Sequence, residues 1–390
     1  MNYFSFKLKK TFVFSAFLVF LLLILIEVAA ILIDKVKRQD DVSQISPIIK
    51  KQSYGDEYGK DVKNYNWKKE YEKFVAFKEI GHISKTININ KNGIRKTSGN
   101  CEKQNAKLVF VFGGSTTLGV AVPDSMTYPS YLAKKLNTNG KCYKVVNYGT
   151  GWWMSSQSNN KFSELLRHGK VPDIAIFYEG INDLDVVSYG GVPGGIAPYA
   201  ERILSKSFDT ADLWNKTSLE KIKKSIKTFL HITASYRLAV AYHHGRKYSK
   251  SKKNINKIDD EYLNKSANAV SNIFVENMQQ NHDIGNRHGV KVLTALQPFP
   301  LISNKKLTID EKITIQYRID IRPWEAKFIK ITYNKILEKS DQFGSRCFYD
   351  MSEILDDNET ELFAEAEHLL PTGNEIIAES FYQKILACDK

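Results

Sequence analysis

Five short, continuous apolar runs recur from residue 107 onward, and helical patterns lie between them. The runs are Lys107–Gly114, Tyr143–Tyr148, Asp173–Tyr178, Val290–Gln297 and Cys347–Met351. Such runs predict parallel strands that are buried on both faces. Because parallel neighbours need helical crossovers, the alternation predicts an α/β three-layer sandwich around a five-stranded parallel sheet. With 43% hydrophobic and 25% charged residues, the composition excludes a mostly disordered or collagen-like chain.

The alternation is interrupted once, by a helical insertion at about 185–260 that carries most of the excess positive charge. Between Lys216 and Lys257 there are twelve Lys or Arg residues and one acidic residue, Glu220, in a chain of net charge +13. We interpret the segment as an amphipathic cap beside the carboxyl ends of the strands, attracted to anionic lipid or acidic polysaccharide. A solvated helical face without a partner is the alternative. No nucleic-acid-binding motif accompanies the charge, so no nucleic-acid partner is expected.

A long apolar run near the N-terminus, from Thr11 to Ile33, contains one charged residue, Glu27. It is long enough to span a bilayer, for which about 20 apolar residues suffice. A cleaved signal peptide has a shorter apolar run, so an uncleaved anchor with a short inside tail and an exported domain is favoured. We therefore predict a tail and anchor over 1–34, a membrane-proximal stalk and extension over 35–100, and the main domain over 101–390.

The four cysteines of the chain form no C-x-x-C pair of the kind found in zinc or redox sites. Structural disulfides in an oxidising compartment fit this pattern, and four buried thiols are the alternative. His243 and His244 are adjacent, so on a helix they would point apart, and they predict no metal site. We expect neither a metal nor an organic cofactor.

Residues whose side chains or backbone N–H groups can carry chemistry follow the ends of the predicted strands. They are Ser115 after the first strand, Gly149 after the second, Asn182 after the third, Gln297 at the end of the fourth, and His368 ahead of the last helix. Because the carboxyl ends of parallel strands meet at one edge of a sheet, we expect these residues to lie close together. A serine, a histidine and polarised N–H donors are the parts that acyl transfer needs, and Gln297 is the expected substrate contact.

Together these segments resemble the SGNH, or GDSL-like, serine hydrolase superfamily in its membrane-anchored bacterial type, from about Lys107 to Leu386. Gly113-Gly114-Ser115-Thr116 resembles the first sequence block, with Gly114 where many members have aspartate. Gly149, Asn182 and His368 resemble the glycine, asparagine and histidine of the later blocks, and Gly93-Ile94-Arg95 resembles an element ahead of the first block. The resemblance implies a flavodoxin-like sheet.

The resemblance also implies a role for each residue. Ser115 would be the nucleophile and His368 the general base. The backbone N–H groups of Ser115 and Gly149, with the side-chain amide of Asn182, would form the oxyanion hole.

The third member of the catalytic set departs from the family pattern. The family usually has aspartate three residues before the histidine, where this chain has Glu365. We expect Glu365 to orient His368, and a water or backbone acceptor is the alternative. Glu367 is adjacent to the histidine and is expected to point elsewhere.

The family topology also suggests a disulfide pairing. Cys101 and Cys142 precede two strands that the topology makes neighbours, so they are expected to pair. Cys347 and Cys388 would join the start of the fifth strand to the end of the last helix, because those two elements should run antiparallel.

These expectations combine into a membrane-anchored serine esterase whose domain lies in the periplasm or outside the cell. Its expected substrate is an acylated, most simply acetylated, cell-surface glycan. An O-acyltransferase would use the same site and replace water by a sugar hydroxyl. A non-catalytic glycan-binding or assembly protein is the third hypothesis, which Gly114 and Glu365 keep open.

Overall fold

The computed structural model describes residues 2–40, 45–138, 140–196, 233, 235, 258–343 and 347–388. They divide into two compact units. The first contains the N-terminal helix with Thr233 and Ser235, and the second contains the other described residues from 45 onward.

The N-terminal helix, α1, covers Asn2–Asp40, and its segment Val13–Ile33 is long and apolar enough to cross a membrane. A cleaved signal sequence meets the same criterion, so the anchor and its orientation stay predictions. The carboxylate of Glu27 in this helix has hydrogen-bond donors. Its Oε2 atom accepts hydrogen bonds from the backbone N–H of Ser235 at 3.2 Å and from the Ser235 hydroxyl at 2.6 Å.

Small elements between residues 45 and 100 pack onto the sheet domain. They are helices α2 (Pro47–Lys51) and α3 (Gly55–Tyr65), and the antiparallel pairs β1 (Lys69–Glu72) with β2 (Ala76–Glu79) and β3 (His82–Ile83) with β4 (Asn88–Ile89). Buried Ile48, Tyr58 and Tyr65 share a hydrophobic cluster with Leu118 and Leu370. The part of the predicted stalk from residue 45 onward therefore belongs to the folded unit.

The central sheet has five parallel strands, as the sequence predicted. They are β5 (Lys107–Gly113), β6 (Tyr143–Asn147), β7 (Ile174–Glu179), β8 (Lys291–Leu296) and β9 (Cys347–Asp350), in the spatial order β6-β5-β7-β8-β9. The chain first moves outward from β5 to β6, and then crosses to β7 on the other side. This reversal places a topological switch point at the carboxyl end of β5, where open α/β sheets bind ligands.

Helices cover both faces of the sheet. They are α4 (Ser115–Leu118), α5 (Tyr128–Leu136), α6 (Ser155–Arg167), α7 (Ile181–Ser188), α8 (Asp260–Arg287), α9 (Ile309–Ile321), α10 (Glu325–Glu338) and α11 (Pro371–Ala387). Phe110 and Phe112 of β5 belong to the hydrophobic cluster with α6, α8 and α10, whereas Val109 and Val111 belong to the one with α5 and α11. Because alternate side chains enter opposite cores, the strand is apolar from Leu108 onward.

Both predicted disulfides are present. Cys101 pairs with Cys142 at a Cα–Cα distance of 5.2 Å, and Cys347 pairs with Cys388 at 6.0 Å. Each bond closes a chain separation of 41 residues, and together they link the two edge strands to neighbouring segments.

The predicted basic insertion lies mostly outside the described residues. Helix α7 covers its beginning and α8 starts at Asp260, where the insertion was expected to end. Apart from Thr233 and Ser235, the segment Lys216 to Lys257, including His243 and His244, lies outside the described part of the chain. The cap therefore stays a prediction.

Candidate active site

Ser115 and His368 meet at the carboxyl edge of the sheet. Ser115 is the first residue of α4, directly after β5 and Gly114, and His368 lies in the loop ahead of α11. The Nε2 atom of His368 is 2.8 Å from the Oγ atom of Ser115, although the two residues are 253 positions apart. A hydroxyl within hydrogen-bond distance of an imidazole is the geometry that nucleophile activation requires.

Glu365 faces the other nitrogen of the imidazole ring. Its Oε1 atom is 3.6 Å from Nδ1 of His368, slightly beyond hydrogen-bond distance. Nδ1 is buried and has no hydrogen-bond partner among the described residues. Since the Glu365 side chain is 44% exposed, it has room to move the few tenths of an ångström that a bond needs. Contacts of this kind are often long in a free enzyme and tighten with substrate.

The charges around His368 favour its protonated form. Burial lowers the pKa of His368, but the interactions with Glu365, Glu367 and Asp185 outweigh burial and raise the pKa above its ordinary value. Burial raises the pKa of Glu365, but the interaction with His368 reverses this and holds the pKa below its usual range. An ionised carboxylate thus lies beside an imidazole that accepts a proton readily.

Asn182 lies against the backbone that precedes Ser115. It is the second residue of α7, and its Nδ2 atom donates to the carbonyl of Trp153 at 2.7 Å, which leaves one amide hydrogen unused by this bond. A Cβ atom at Gly114 would overlap Nδ2 of Asn182. Glycine at this position therefore allows the amide to approach. The Ser115 N–H begins a helix and has no intrahelical acceptor, so two donors lie near the serine.

Gly149 lies close to α4, and its N–H already has a hydrogen-bond acceptor. Its N–H donates to Oδ1 of Asn147 at 2.9 Å, and Nδ2 of Asn147 donates to the carbonyl of Thr117 at 2.9 Å. In this conformation the donor is already engaged, and the role of this N–H in the oxyanion hole stays a prediction. A Cβ at Gly149 would overlap the backbone N of Leu118, so the glycine is needed for close packing.

Arg95 supports the turn that carries Ser115. Its guanidinium is buried, with Nη1 donating to the carbonyls of Leu118 at 3.0 Å and Gly119 at 2.6 Å and Nη2 donating to Val122 at 2.8 Å. Its Nε atom pairs with Oδ1 of Asp124 at 2.9 Å. These carbonyls end or follow α4 and would otherwise lack helical partners. The arginine of the Gly-x-Arg element therefore fixes the end of the helix that Ser115 begins.

Gln297, the expected substrate contact, is part of the framework that holds the loops of the site. Its side chain is buried, with Nε2 donating to Oγ1 of Thr116 and Oε1 accepting from the N–H of Ile181 at 3.3 Å. Both side-chain polar groups thus bind neighbours of Ser115 and Asn182. Gln297 therefore holds two site loops together, and its direct contact with substrate stays a prediction.

Sequence reasoning missed a buried charged cluster behind His368. Glu367 makes an ion pair with Arg318 on α9, whose Nη1 atom is 3.0 Å from its Oε2 atom. Arg318 also contacts Asp185 of α7 and Glu325 of α10. No local pattern marks Arg318, because two of its partners, Asp185 and Glu367, are distant in the sequence.

A groove of about 1000 Å³ lies elsewhere on this unit, beside the edge strand β6. Residues of β3, β4 and β6 line it, and Ser115 and His368 are not among its lining residues. The groove is therefore separate from the Ser115–His368 pair.

Comparison with known proteins gives matches to solved structures alone. No family model matches the chain, and no curated protein matches it. The structure of TesA matches at 12% identity with a TM-score of 0.40, covering 72% of this chain and 99% of that one. A GDSL-like lipase from Bacteroides thetaiotaomicron matches at 11% identity with a TM-score of 0.35, covering 72% and 88%.

An acetylxylan esterase from Geobacillus stearothermophilus matches at 11% identity with a TM-score of 0.33, covering 74% of this chain and 96% of that one. These structures include lipolytic proteins of the type that the sequence motifs resemble. Identities this low and TM-scores below 0.5 transfer no activity to this chain. The function must be argued from its own side chains.

Proposed function

We propose that the protein is a serine esterase in which Ser115 is the nucleophile and His368 the general base. The observation that carries the proposal is the 2.8 Å contact between Oγ of Ser115 and Nε2 of His368 at the switch point of the sheet. Either residue alone is a common feature, but a serine at the start of a helix joined to a mostly buried imidazole is a constellation suited to acyl transfer.

The first half-reaction follows from these contacts. Oγ of Ser115 attacks the ester carbonyl while its proton passes to Nε2 of His368. The negative charge of Glu365 stabilises the imidazolium that results. When the carbon–oxygen bond to the alcohol breaks, the imidazolium returns the proton to the leaving oxygen, and an acyl-serine remains. Water then repeats the same steps and releases the acid.

The negative charge that develops on the carbonyl oxygen during the attack is stabilised by hydrogen-bond donors that are already in position. The N–H of Ser115 and the remaining amide hydrogen of Asn182 are the two groups proposed for this role. Loss of one such donor in other serine hydrolases costs on the order of 10²–10³ in rate. The site thus contains a nucleophile, a base, a carboxylate and two candidate donors.

The proposed substrate is an acetylated glycan at the cell surface. Support comes from the apolar helix segment Val13–Ile33, which suits a membrane anchor, and from the two disulfides, which suit an oxidising compartment. In this proposal the second unit acts outside the cytoplasm. An O-acyltransferase is the alternative within the same chemistry, since a sugar hydroxyl in place of water would complete the second half-reaction.

The test is hydrolysis of short-chain aryl esters and acetylated sugars by the full chain in detergent. Ser115→Ala should abolish turnover with little change in melting temperature, and Ser125→Ala, on an exposed serine, is the matched control. Labelling of the parent by a fluorophosphonate, absent in Ser115→Ala, would report the same nucleophile. Hydrolysis by Ser115→Ala within about tenfold of the parent would reject the assignment. Faster turnover on adding a glycan acceptor would favour the transferase.

A further inference from the structure

The guanidinium of Arg318 is at the centre of a buried ionic cluster immediately behind the site. Its Nε atom is 2.7 Å from Oε2 of Glu325, its Nη1 atom is 3.0 Å from Oε2 of Glu367, and Nη2 contacts Oδ1 of Asp185. It lies 4.9 Å from the ring centroid of Phe299. The side chain is 7% exposed, so this charge is held almost entirely by protein groups.

The carboxylates of this cluster come from segments that carry different parts of the proposed site. Glu367 directly precedes His368, and Asp185 is on the same helix, α7, as Asn182. Glu325 begins α10 and also pairs with Arg322 at 3.1 Å. The guanidinium of Arg318 thus links the segment that contains His368 to helix α7, which contains Asn182. Its third ion pair, with Glu325, holds it to α10.

We infer that Arg318 is a positioning residue, which fixes the distance between His368 and Asn182 by binding Glu367 and Asp185 at the same time. The inference rests on the proposed function, because it concerns the same site. A guanidinium suits this role because its donors form a rigid fork, whereas a lysine ammonium is a point charge on a flexible chain. Misplacement of a catalytic group by about 1 Å can lower turnover about 10²-fold.

A second effect of Glu367 is electrostatic and must be separated from positioning. The groups that face His368 are Glu365 and Glu367 of its own segment and Asp185 of α7. Arg318, Arg322 and Glu325 complete the cluster around Asp185, whose pKa is raised to about 7 by burial. Removing the negative charge of Glu367 should therefore lower the pKa of His368, whatever the geometry.

Two variants of Glu367 separate these effects in the full chain. Glu367→Gln removes the charge but keeps an oxygen that can accept from Nη1 of Arg318, whereas Glu367→Ala removes both. The acid limb of kcat/KM should move to lower pH by a similar amount in both variants. On the pH plateau, kcat should fall at least about tenfold in Glu367→Ala and stay within about threefold of the parent in Glu367→Gln, with KM little changed in either.

Arg318→Lys tests the centre of the cluster. It should lower plateau kcat at least about tenfold at similar KM, and adding Glu367→Ala should cause little further loss, because both changes break one link. Arg322→Lys is the matched control: it has similar burial and also pairs with Glu325, but makes no ion pair to Glu367 or Asp185. Its plateau kcat should stay within about twofold of the parent.

The outcomes distinguish this inference from the proposed function. Equal plateau kcat in Glu367→Ala and Glu367→Gln, or parental kcat in Arg318→Lys, would overturn the positioning role while an inactive Ser115→Ala still supported the esterase. Retained turnover in Ser115→Ala would instead remove the esterase proposal itself. If Arg318→Lys fails to fold, the Glu367 pair decides alone, because Glu367 is partly exposed.

Discussion

The amide nitrogen of Asn182 occupies the space that a side chain at Gly114 would fill. The same amide donates to the carbonyl of Trp153, which fixes its orientation. Gly114 is also a position at which this chain departs from the family that its motifs resemble. The absence of a side chain at Gly114 is what allows the Asn182 amide to come this close.

Gly114→Asp should therefore damage the site although it introduces the residue that many members of the resembled family have. The new side chain would displace the Asn182 amide, and we expect a loss of about 10²-fold in kcat on an aryl ester. Steady-state kinetics of Gly114→Asp, Asn182→Ala and the double variant would check this. If both act through one donor, the double variant is little worse than the worse single one. Parental kcat in Gly114→Asp would contradict this packing.

Glu365→Gln should lower turnover and shift its pH dependence. Turnover needs unprotonated His368, whose pKa is raised in the folded protein, so the acid limb of kcat/KM should lie above the ordinary histidine value of about 6.5. Removing the Glu365 charge lowers this pKa, so the limb should move to lower pH while plateau kcat falls.

Glu365→Asp is the conservative partner of that variant. It keeps the charge but shortens a side chain whose oxygen is already 3.6 Å from Nδ1. We expect it to retain more turnover than Glu365→Gln, with an acid limb close to that of the parent. Profiles of kcat/KM from about pH 5 to 9 would compare the variants. An acid limb that does not move in Glu365→Gln would remove Glu365 from the site.

Arg95→Ala should be among the most damaging changes outside the reacting groups. It leaves buried Asp124 without its guanidinium and removes the arginine's hydrogen bonds to three carbonyls, and breaking a buried pair in this way costs about 3–5 kcal/mol. Lys85→Ala removes an exposed ion pair with Glu57 and should cost at most about 1 kcal/mol. Urea unfolding of both variants would test the contrast, and similar losses would argue against the role of Arg95.

Asp183 should make the protein less stable as the pH rises. Burial raises its pKa from 3.8 to about 6, although hydrogen bonds from Ser155 oppose the shift. A raised carboxyl pKa gives stability that is complete below about pH 4 and is lost as the pH rises through 6. Asp183→Asn should flatten this loss. Unfolding free energies of parent and variant between about pH 4 and 7.5 would check it, and parallel curves would show that Asp183 does not titrate there.

The sheet was predictable from the sequence because each buried strand leaves a short apolar run that is visible in consecutive residues. Each central strand enters two cores, so Phe110 and Val111 must both be apolar, and this requirement is visible in a few consecutive residues. The proximity of Ser115 and His368 could be anticipated as well, because strand ends share one edge. The two disulfides followed from the assumed topology, which makes the first two strands neighbours and runs the last helix antiparallel to the fifth strand.

The polar framework was not predictable in the same way. The bond from Gln297 to Thr116 and the ion pair between Arg318 and Glu367 join residues that only the final packing brings together. Gly149 is a second example: its residue type matches the family motif, but the sequence does not reveal that Asn147 accepts a hydrogen bond from its N–H. Such pairings depend on side-chain direction, which sequence spacing leaves undetermined.

The separation of 253 residues between Ser115 and His368 has a consequence for the order of events during synthesis. A chain emerges from the ribosome N-terminus first, and contacts at long sequence separation form late because the intervening loop must close. The strand that ends beside the serine can be made long before the imidazole exists. A nascent chain that has not yet reached His368 would therefore carry an inert serine, and the proposed esterase activity would begin only once nearly the whole domain had folded.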